Sequence, residues 1–308
     1  MVAEASPDIT DRALGCLLGL AIGDALGAAV EFKPRGTFEA VTGMRGGGTH
    51  DLPAGYWTDD TSMALCLAES LIECGGFDAG DQMRRYVRWL DEGYWSSTGE
   101  CFDIGMTTRA SLSRFKAAPD NSFAGSTDPL KTGNGSLMRL APVPIYFNGD
   151  VETAVRMAGE SSRTTHGAPE CVDACRLFAW LLLRAFDATD KNFLHVDPDA
   201  MPDGAPLVRR LHSLALGTYT DKPEAHIRGS GYVYHCMEAV LWCFERTGGF
   251  SEAVLMAVNL GDDADTTAAV CGQIAGAFYG AAAIPEEWVA HLHRGDEVEG
   301  MGAGLLGT

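Results

Sequence analysis

The stretch DRALGCLLGLAIGDALGAAVEF, residues 11–32, decides the fold. It shows no alternation of period two, so it does not read as a strand. Its glycines fall at 15, 19, 23 and 27, one every four residues. On a helix that step draws a single stripe without side chains. Glycine costs a helix about 1 kcal/mol per residue relative to alanine, so the stripe needs a compensating contact. Close approach of a second helix or backbone supplies one. The stretch therefore predicts a central helix buried on most sides.

Outward from it the helical patterns continue. Met63, Leu67 and Leu71 mark one helix, and Met83, Tyr86, Val87 and Leu90 another at i, i+3, i+4, i+7. Further helices are expected over 104–116, 151–161, 169–186, 205–216, 232–246, 251–260, 265–283 and 285–293. Pro169 and Pro285 suit first-turn positions. The single strand candidate, 142–147, carries Pro144 in its interior, which argues against it. Residues 36–56 read as a long glycine-rich loop, and 117–134 and 187–204 as loops rather than linkers. The triple glycine 46–48 is not followed by Gly-Lys-Ser/Thr, which excludes a phosphate loop of that type. The expectation is one all-α domain over residues 1–308, with its core over about 11–295.

Composition narrows the function. The chain has 308 residues, 46% of them hydrophobic, and a net charge of −19. That charge repels a phosphate backbone, so neither nucleic acid nor an anionic membrane is expected as a bulk electrostatic partner. Nine cysteines, with no CxxC pair and most of them in apolar runs, read as reduced buried thiols. The N-terminal MVAEASPDITDR places acids before any apolar run and makes a poor signal sequence. The longest apolar run, 14–30, is interrupted by Asp24 and rich in glycine, and does not read as a membrane span. A cytoplasmic monomer is expected.

Two acidic clusters carry the chemistry. The first is YWTDDTSMAL, residues 56–65. Taken alone, Thr58 reads as an N-cap, with Asp59 and Asp60 in a first turn that favours anions. The second is NLGDDADTT, residues 259–267, where Asp262, Asp263 and Asp265 crowd into four positions before an apolar helix. Three carboxylates so close repel one another, and capping uses one or two. A divalent cation relieves the repulsion. The oxygen-only ligands nearby select Mg²⁺, Mn²⁺ or Ca²⁺ over zinc. Two clusters brought together could hold two ions. Glu31, which leads into the long loop, could sit at the mouth of a cleft.

In order along nearly the whole chain stand the glycine-striped helix, WTDDTSMAL, FDIGMTTRASL, TGNGSLMRLAPVPI, RTTHGAPECVDACRLFAWLL, GSGYVYHCMEAVLWCF and NLGDDADTTAAVCGQIAGAFYG. The set resembles the ADP-ribosylglycohydrolase family. The resemblance implies a compact helical fold with a dinuclear Mg²⁺ or Mn²⁺ centre. It implies Thr58, Asp59, Asp60, Asp263, Asp265 and Thr266 as metal ligands, and leaves Asp262 outside, where the family often has glycine. It implies Glu31 as the catalytic base or acid–base. Asp103 would orient the arginine side of the substrate. Asn134, Gly135 and Ser136 match a loop that wraps the diphosphate and distal ribose, His166 a pocket histidine, and Tyr232 an aromatic over the adenine. Met106, three residues after Asp103, replaces a polar amide of a near relative, and this departure bears on the leaving group.

The expected reaction is metal-dependent hydrolysis of the N-glycosidic bond between ADP-ribose and a modified side chain, with arginine first. The substrate would be an ADP-ribosylated protein or small molecule, and ADP-ribose the product. Two other readings stay open. One is hydrolysis of another linkage, to serine, in O-acetyl-ADP-ribose or in a small molecule. The other is ADP-ribose binding without catalysis.

Overall fold

The computed structural model describes residues 8–307. The first seven residues of the stretch expected not to be a signal sequence lie outside them. Helix α1 runs over Ile9–Gly27, started by Asp8, whose carboxylate accepts from the Thr10 and Asp11 backbone N–H groups. The partner its stripe requires is α11, Ala264–Tyr279, lying antiparallel to it. A Cβ placed on Gly19 would lie 2.1 Å from the Gly272 carbonyl oxygen, and one on Gly23 the same distance from that of Ala268. Gly15 meets the Gly276 carbonyl at 2.6 Å in the same sense. Helix α11 thus answers the stripe with small residues of its own. The fourth step has a consequence for function: a Cβ on Gly27 would lie 2.3 Å from Asp265 Cα. Missing side chains on α1 let the second acidic cluster settle against its end.

The other helices wrap this pair. They are α2 (Asp59–Cys74), α3 (Ala79–Glu92), α4 (Met106–Ala117), α5 (Pro142–Tyr146), α6 (Val151–Arg163), α7 (Pro169–Asp187), α8 (Arg209–Ala215), α9 (Val233–Arg246), α10 (Phe250–Val258), α12 (Glu286–His291) and α13 (Gly295–Leu306). One continuous apolar core joins residues from Ala13 to Leu305. Among the described residues there is no strand, only isolated bridges such as Pro34 with Gly261 and Gly133 with Tyr232. No described helix is long and apolar enough to cross a membrane.

Most expected helices appear with shifted ends. The helix expected from Ala205 begins only at Arg209, and the one expected through Ala283 ends at Tyr279 before a 3-10 turn. The strand candidate is the short helix α5, because Pro142 in the first turn lacks an N–H that would be unpaired there anyway. Pro169 takes a first-turn position, whereas Pro285 sits one residue earlier, at the N-cap. Helix α13, which no pattern announced, lays Gly302 over Leu14 of α1. Seven cysteines are buried; Cys101 is half-buried and Cys74 exposed.

The long loop after α1 is held down at several points. Phe32 N–H donates to the Asp262 carbonyl at 2.7 Å, and Asp262 N–H returns a bond to Lys33. Farther on, the Asn259 side chain pairs with both backbone groups of Val41. The loop carrying Glu31 is thereby fastened to the turn that carries Asp263.

Candidate active site

Both acidic clusters open helices, and the α1–α11 contact brings those openings together. Asp59 and Asp60 begin α2, while Asp263 and Asp265 begin α11. Thr58 occupies the N-cap position of α2, yet its hydroxyl makes no capping bond. It donates instead toward Asp24 Oδ1 at 2.9 Å and Asp265 Oδ2 at 3.2 Å, so it bridges α1 to α11. Thr266 donates to Asp60 Oδ2 at 3.3 Å. Ligand oxygens of Glu31, Asp263 and Asp265 lie within 4.8 Å of one another.

These groups border a cleft of about 580 Å³. Glu31, Asp59, Asp103, Asp263, Asp265 and Thr266 form its acidic wall; Asn134, Gly135 and His166 stand among the residues that line the rest. Asp60 and Thr58 are fully buried and lie outside the lining. A neighbouring cavity of about 570 Å³ shares Met106, Thr107, Gly133 and Gly231 with the cleft and adds Tyr232, Arg114 and Lys131.

The electrostatics are severe. Burial pushes Glu31 up to about 11, reinforced by Asp265, Asp103 and Asp263. Asp59, Asp60 and Asp265 are raised well above the usual carboxylate range, first by burial and then by neighbouring carboxylates, Asp103 foremost for Asp59, Asp24 for Asp60 and Asp263 for Asp265. Asp263 is held to about 6, burial raising it while the Asn134 amide at 2.6 Å lowers it. Among the described residues three buried carboxylate oxygens have no hydrogen-bond partner: Glu31 Oε2, Asp60 Oδ1 and Asp265 Oδ1. Unpaired buried charge of this kind is costly without a counter-ion. An all-oxygen donor set with orphaned oxygens fits a hard divalent cation.

The chain matches the ADP-ribosylglycohydrolase family model over residues 5–308. The chain belongs to the ADP-ribosylglycohydrolase family. It is 43% identical over 283 residues to the ADP-ribosylarginine hydrolase Tri1 of Pseudomonas putida, covering 91% of this chain and 73% of that one. Identity to the Tri1 of Serratia proteamaculans is 40% over 296 residues, 96% and 79% of the two chains. The ADP-ribosyl-[dinitrogen reductase] glycohydrolase of Rhodospirillum rubrum is 31% identical over 290 residues, 93% and 92%. A solved ADP-ribosylglycohydrolase-related protein complex superposes with a TM-score of 0.85 at 44% identity, covering 97% and 98%. As a member of this family the chain is an enzyme, a glycohydrolase.

Several features of this glycohydrolase escaped sequence reasoning. Asp24 is a buried carboxylate on α1 that accepts four bonds from Thr58 and Thr61, at 2.6–3.0 Å. Its signal was the single acid in the apolar run 14–30. His50, in the long loop, points Nε2 between Asp103 Oδ1 at 3.3 Å and Glu31 Oε2 at 3.6 Å. Its neighbour Thr49 donates to the Glu31 carbonyl. Arg139, fully buried, reaches the Gly135 carbonyl at 3.0 Å and Thr165 Oγ1 at 2.8 Å, tying the Asn134–Ser136 turn to the residue before His166. Desolvation, with Arg139 adding to it, lowers His166 to about 3, so its imidazole is neutral.

The expected diphosphate turn is partly engaged by the protein itself. The Asn134 backbone N–H donates to the Gly231 carbonyl and its amide to Asp263. The Ser136 hydroxyl faces inward, accepting from Ser162 at 2.8 Å. Tyr232 lines the neighbouring cavity, its hydroxyl donating to Glu170. Glu31 lies past the end of α1, four residues beyond Gly27. Asp262 is exposed at φ +57°, a left-handed backbone that glycine adopts without strain, and it stays off the acidic wall.

Proposed function

We propose that this enzyme hydrolyses the N-glycosidic bond between ADP-ribose and an arginine side chain. The observation that carries the reading is the placement of Asp103 and Glu31 on one wall of the cleft, beside Asp59, Asp263 and Asp265. The two Tri1 relatives, named as ADP-ribosylarginine hydrolases, support the linkage.

The chain's own residues divide the task. Asp103, a carboxylate at the cleft, suits a cationic guanidinium and would hold the arginine in line. Glu31, a carboxylate once bound cations offset the neighbouring acids that raise its pKa, would take a proton from water as the water oxygen joins the anomeric carbon. The bond from that carbon to the guanidine nitrogen breaks, and Glu31 returns the proton to that nitrogen. The products are ADP-ribose and an unmodified arginine. His50 lies between the two carboxylates, its Nε2 nearer Asp103 than Glu31. The uncapped start of α4 at Met106 offers N–H groups to a diphosphate.

Thr58, Asp59, Asp60, Asp263, Asp265 and Thr266 would hold two divalent cations, Mg²⁺ or Mn²⁺. When bound, such ions supply charge that orients ribose hydroxyls or the attacking water. The test is a linkage panel with arginine-ADP-ribosylated protein, serine-ADP-ribosylated peptide and O-acetyl-ADP-ribose. Cleavage of the first at a kcat/KM well above the other two is expected. Preference for serine or acetyl ester would replace the arginine reading.

A further inference from the structure

We propose that Phe32 and Met106 form an apolar lip that seats the polypeptide carrying the modified arginine, so that the preferred substrate is a protein segment with an apolar side chain next to that arginine. The proposal rests on the arginine-hydrolase reading and goes beyond it to the recognition of the protein part.

Large apolar side chains that protrude are few among the described residues. Met106 is 90% exposed and Phe32 60%, and both line the acidic cleft. Their positions flank the reacting end. Phe32 follows Glu31 directly, and Met106 lies three residues after Asp103. Scattered exposed apolar residues need no explanation, but two at the rim of one cleft, beside its two key carboxylates, are a placed pair.

Phe32 is also held in place against its own preference. Its φ is +61°, a left-handed backbone that a bulky residue rarely adopts. The bond from Phe32 N–H to the Asp262 carbonyl, at 2.7 Å, fixes it there. Relaxing this residue would turn the ring elsewhere, whereas the observed conformation keeps it at the cleft mouth. Strained backbone of this sort collects at functional sites.

The occupant follows from covalent continuity. A guanidinium that reaches Asp103 draws its own main chain to the rim, because the side chain is too short to hold that main chain clear. The residues next to the modified arginine therefore meet Phe32 and Met106. The chain's charge of −19 disfavours an acidic segment there.

The experiment compares three substrates: free ADP-ribosyl-arginine, and two peptides carrying ADP-ribosyl-arginine with either leucine or serine beside it. The wild-type enzyme is expected to favour the leucine peptide over the serine peptide by about tenfold in kcat/KM, the scale of burying part of a leucine. In the Phe32→Ser/Met106→Ser double variant the leucine-to-serine ratio should fall to about one, and kcat/KM on the leucine peptide should fall further than on free ADP-ribosyl-arginine. Both residues are exposed, and an unchanged melting temperature would confirm folding. Equal rates on the two peptides with the wild type, or an equal loss on all three substrates in the variant, would overturn the lip. Wild-type enzyme that leaves free ADP-ribosyl-arginine uncleaved would instead remove the arginine reading, and the lip with it.

Discussion

The Asp24 carboxylate caps a helix that is not its own. Oδ1 accepts from the Thr58 backbone N–H and hydroxyl, both at 2.9 Å, and Oδ2 from those of Thr61 at 3.0 and 2.6 Å. The start of α2, with its two aspartates, is thus anchored to the central helix. Asp24→Ala would leave two buried N–H groups without acceptors. Relief of charge repulsion offsets only part of that loss, so a destabilisation of about 2 kcal/mol is expected in urea unfolding. Weaker Mn²⁺ binding should accompany it, because Thr58, Asp59 and Asp60 lose their common support.

The glycine stripe predicts a position-specific penalty. Gly19→Ala puts a methyl 2.1 Å from the Gly272 carbonyl oxygen, a backbone atom that cannot swing aside. A loss of at least about 2 kcal/mol is expected. Gly105→Ala, where a Cβ meets nothing within 4 Å, is the control and should change stability little. Urea midpoints at constant m-value compare the two.

Asp60→Asn should separate stability from activity. Asp60 is buried, its Oδ1 has no partner among the described residues, and burial with Asp24, Asp265 and Asp59 raises its pKa. Removing that charge should stabilise the metal-free protein by about 1–3 kcal/mol at pH 8. Activity should fall by at least about a hundredfold, with a smaller rise in melting temperature on adding Mn²⁺. A variant that is both active and metal-responsive would remove Asp60 from the proposed ligands.

Proton linkage gives the pH dependence a sign. Asp24 and Asp263 stand at about 6 and Glu31 at about 11, all above their unfolded values. A raised carboxylate contributes stability below its unfolded pKa of about 4, and that contribution is lost as pH rises through the folded value. In EDTA the melting temperature should therefore fall between pH 5 and pH 8, taking ~4 as the start of the window. Cations must displace the bound protons, so the gain on adding Mn²⁺ should be larger at pH 8 than at about pH 6. An equal gain at both would place the binding on groups that do not titrate there.

The parts legible in the sequence were those written in local spacing. A glycine at every fourth position announced a backbone-to-backbone helix contact, and the crowding of Asp262, Asp263 and Asp265 announced more than a cap. Features produced by the folded chain were not legible. Nothing near His50 in sequence indicates that the long loop would swing it between Glu31 and Asp103. The stretch Gly295–Leu306 has four glycines and weak periodicity, and it becomes a helix because α1 offers Leu14 to pack against. Ser136 stands in a motif with Asn134 and Gly135, yet the turn sends its hydroxyl inward to Ser162 while Asn134 and Gly135 line the cleft. Asp24 was visible as a lone acid in an apolar run, but only the meeting of α1 with α2 gives it a task.

The most direct test is release of free ADP-ribose from an arginine-ADP-ribosylated protein, measured with Mg²⁺, with Mn²⁺ and with EDTA. The account predicts release with either cation and a loss of at least about a hundredfold in EDTA, restored by adding the metal back. Release at an undiminished rate in EDTA would contradict the assignment of the two acidic clusters to cation binding.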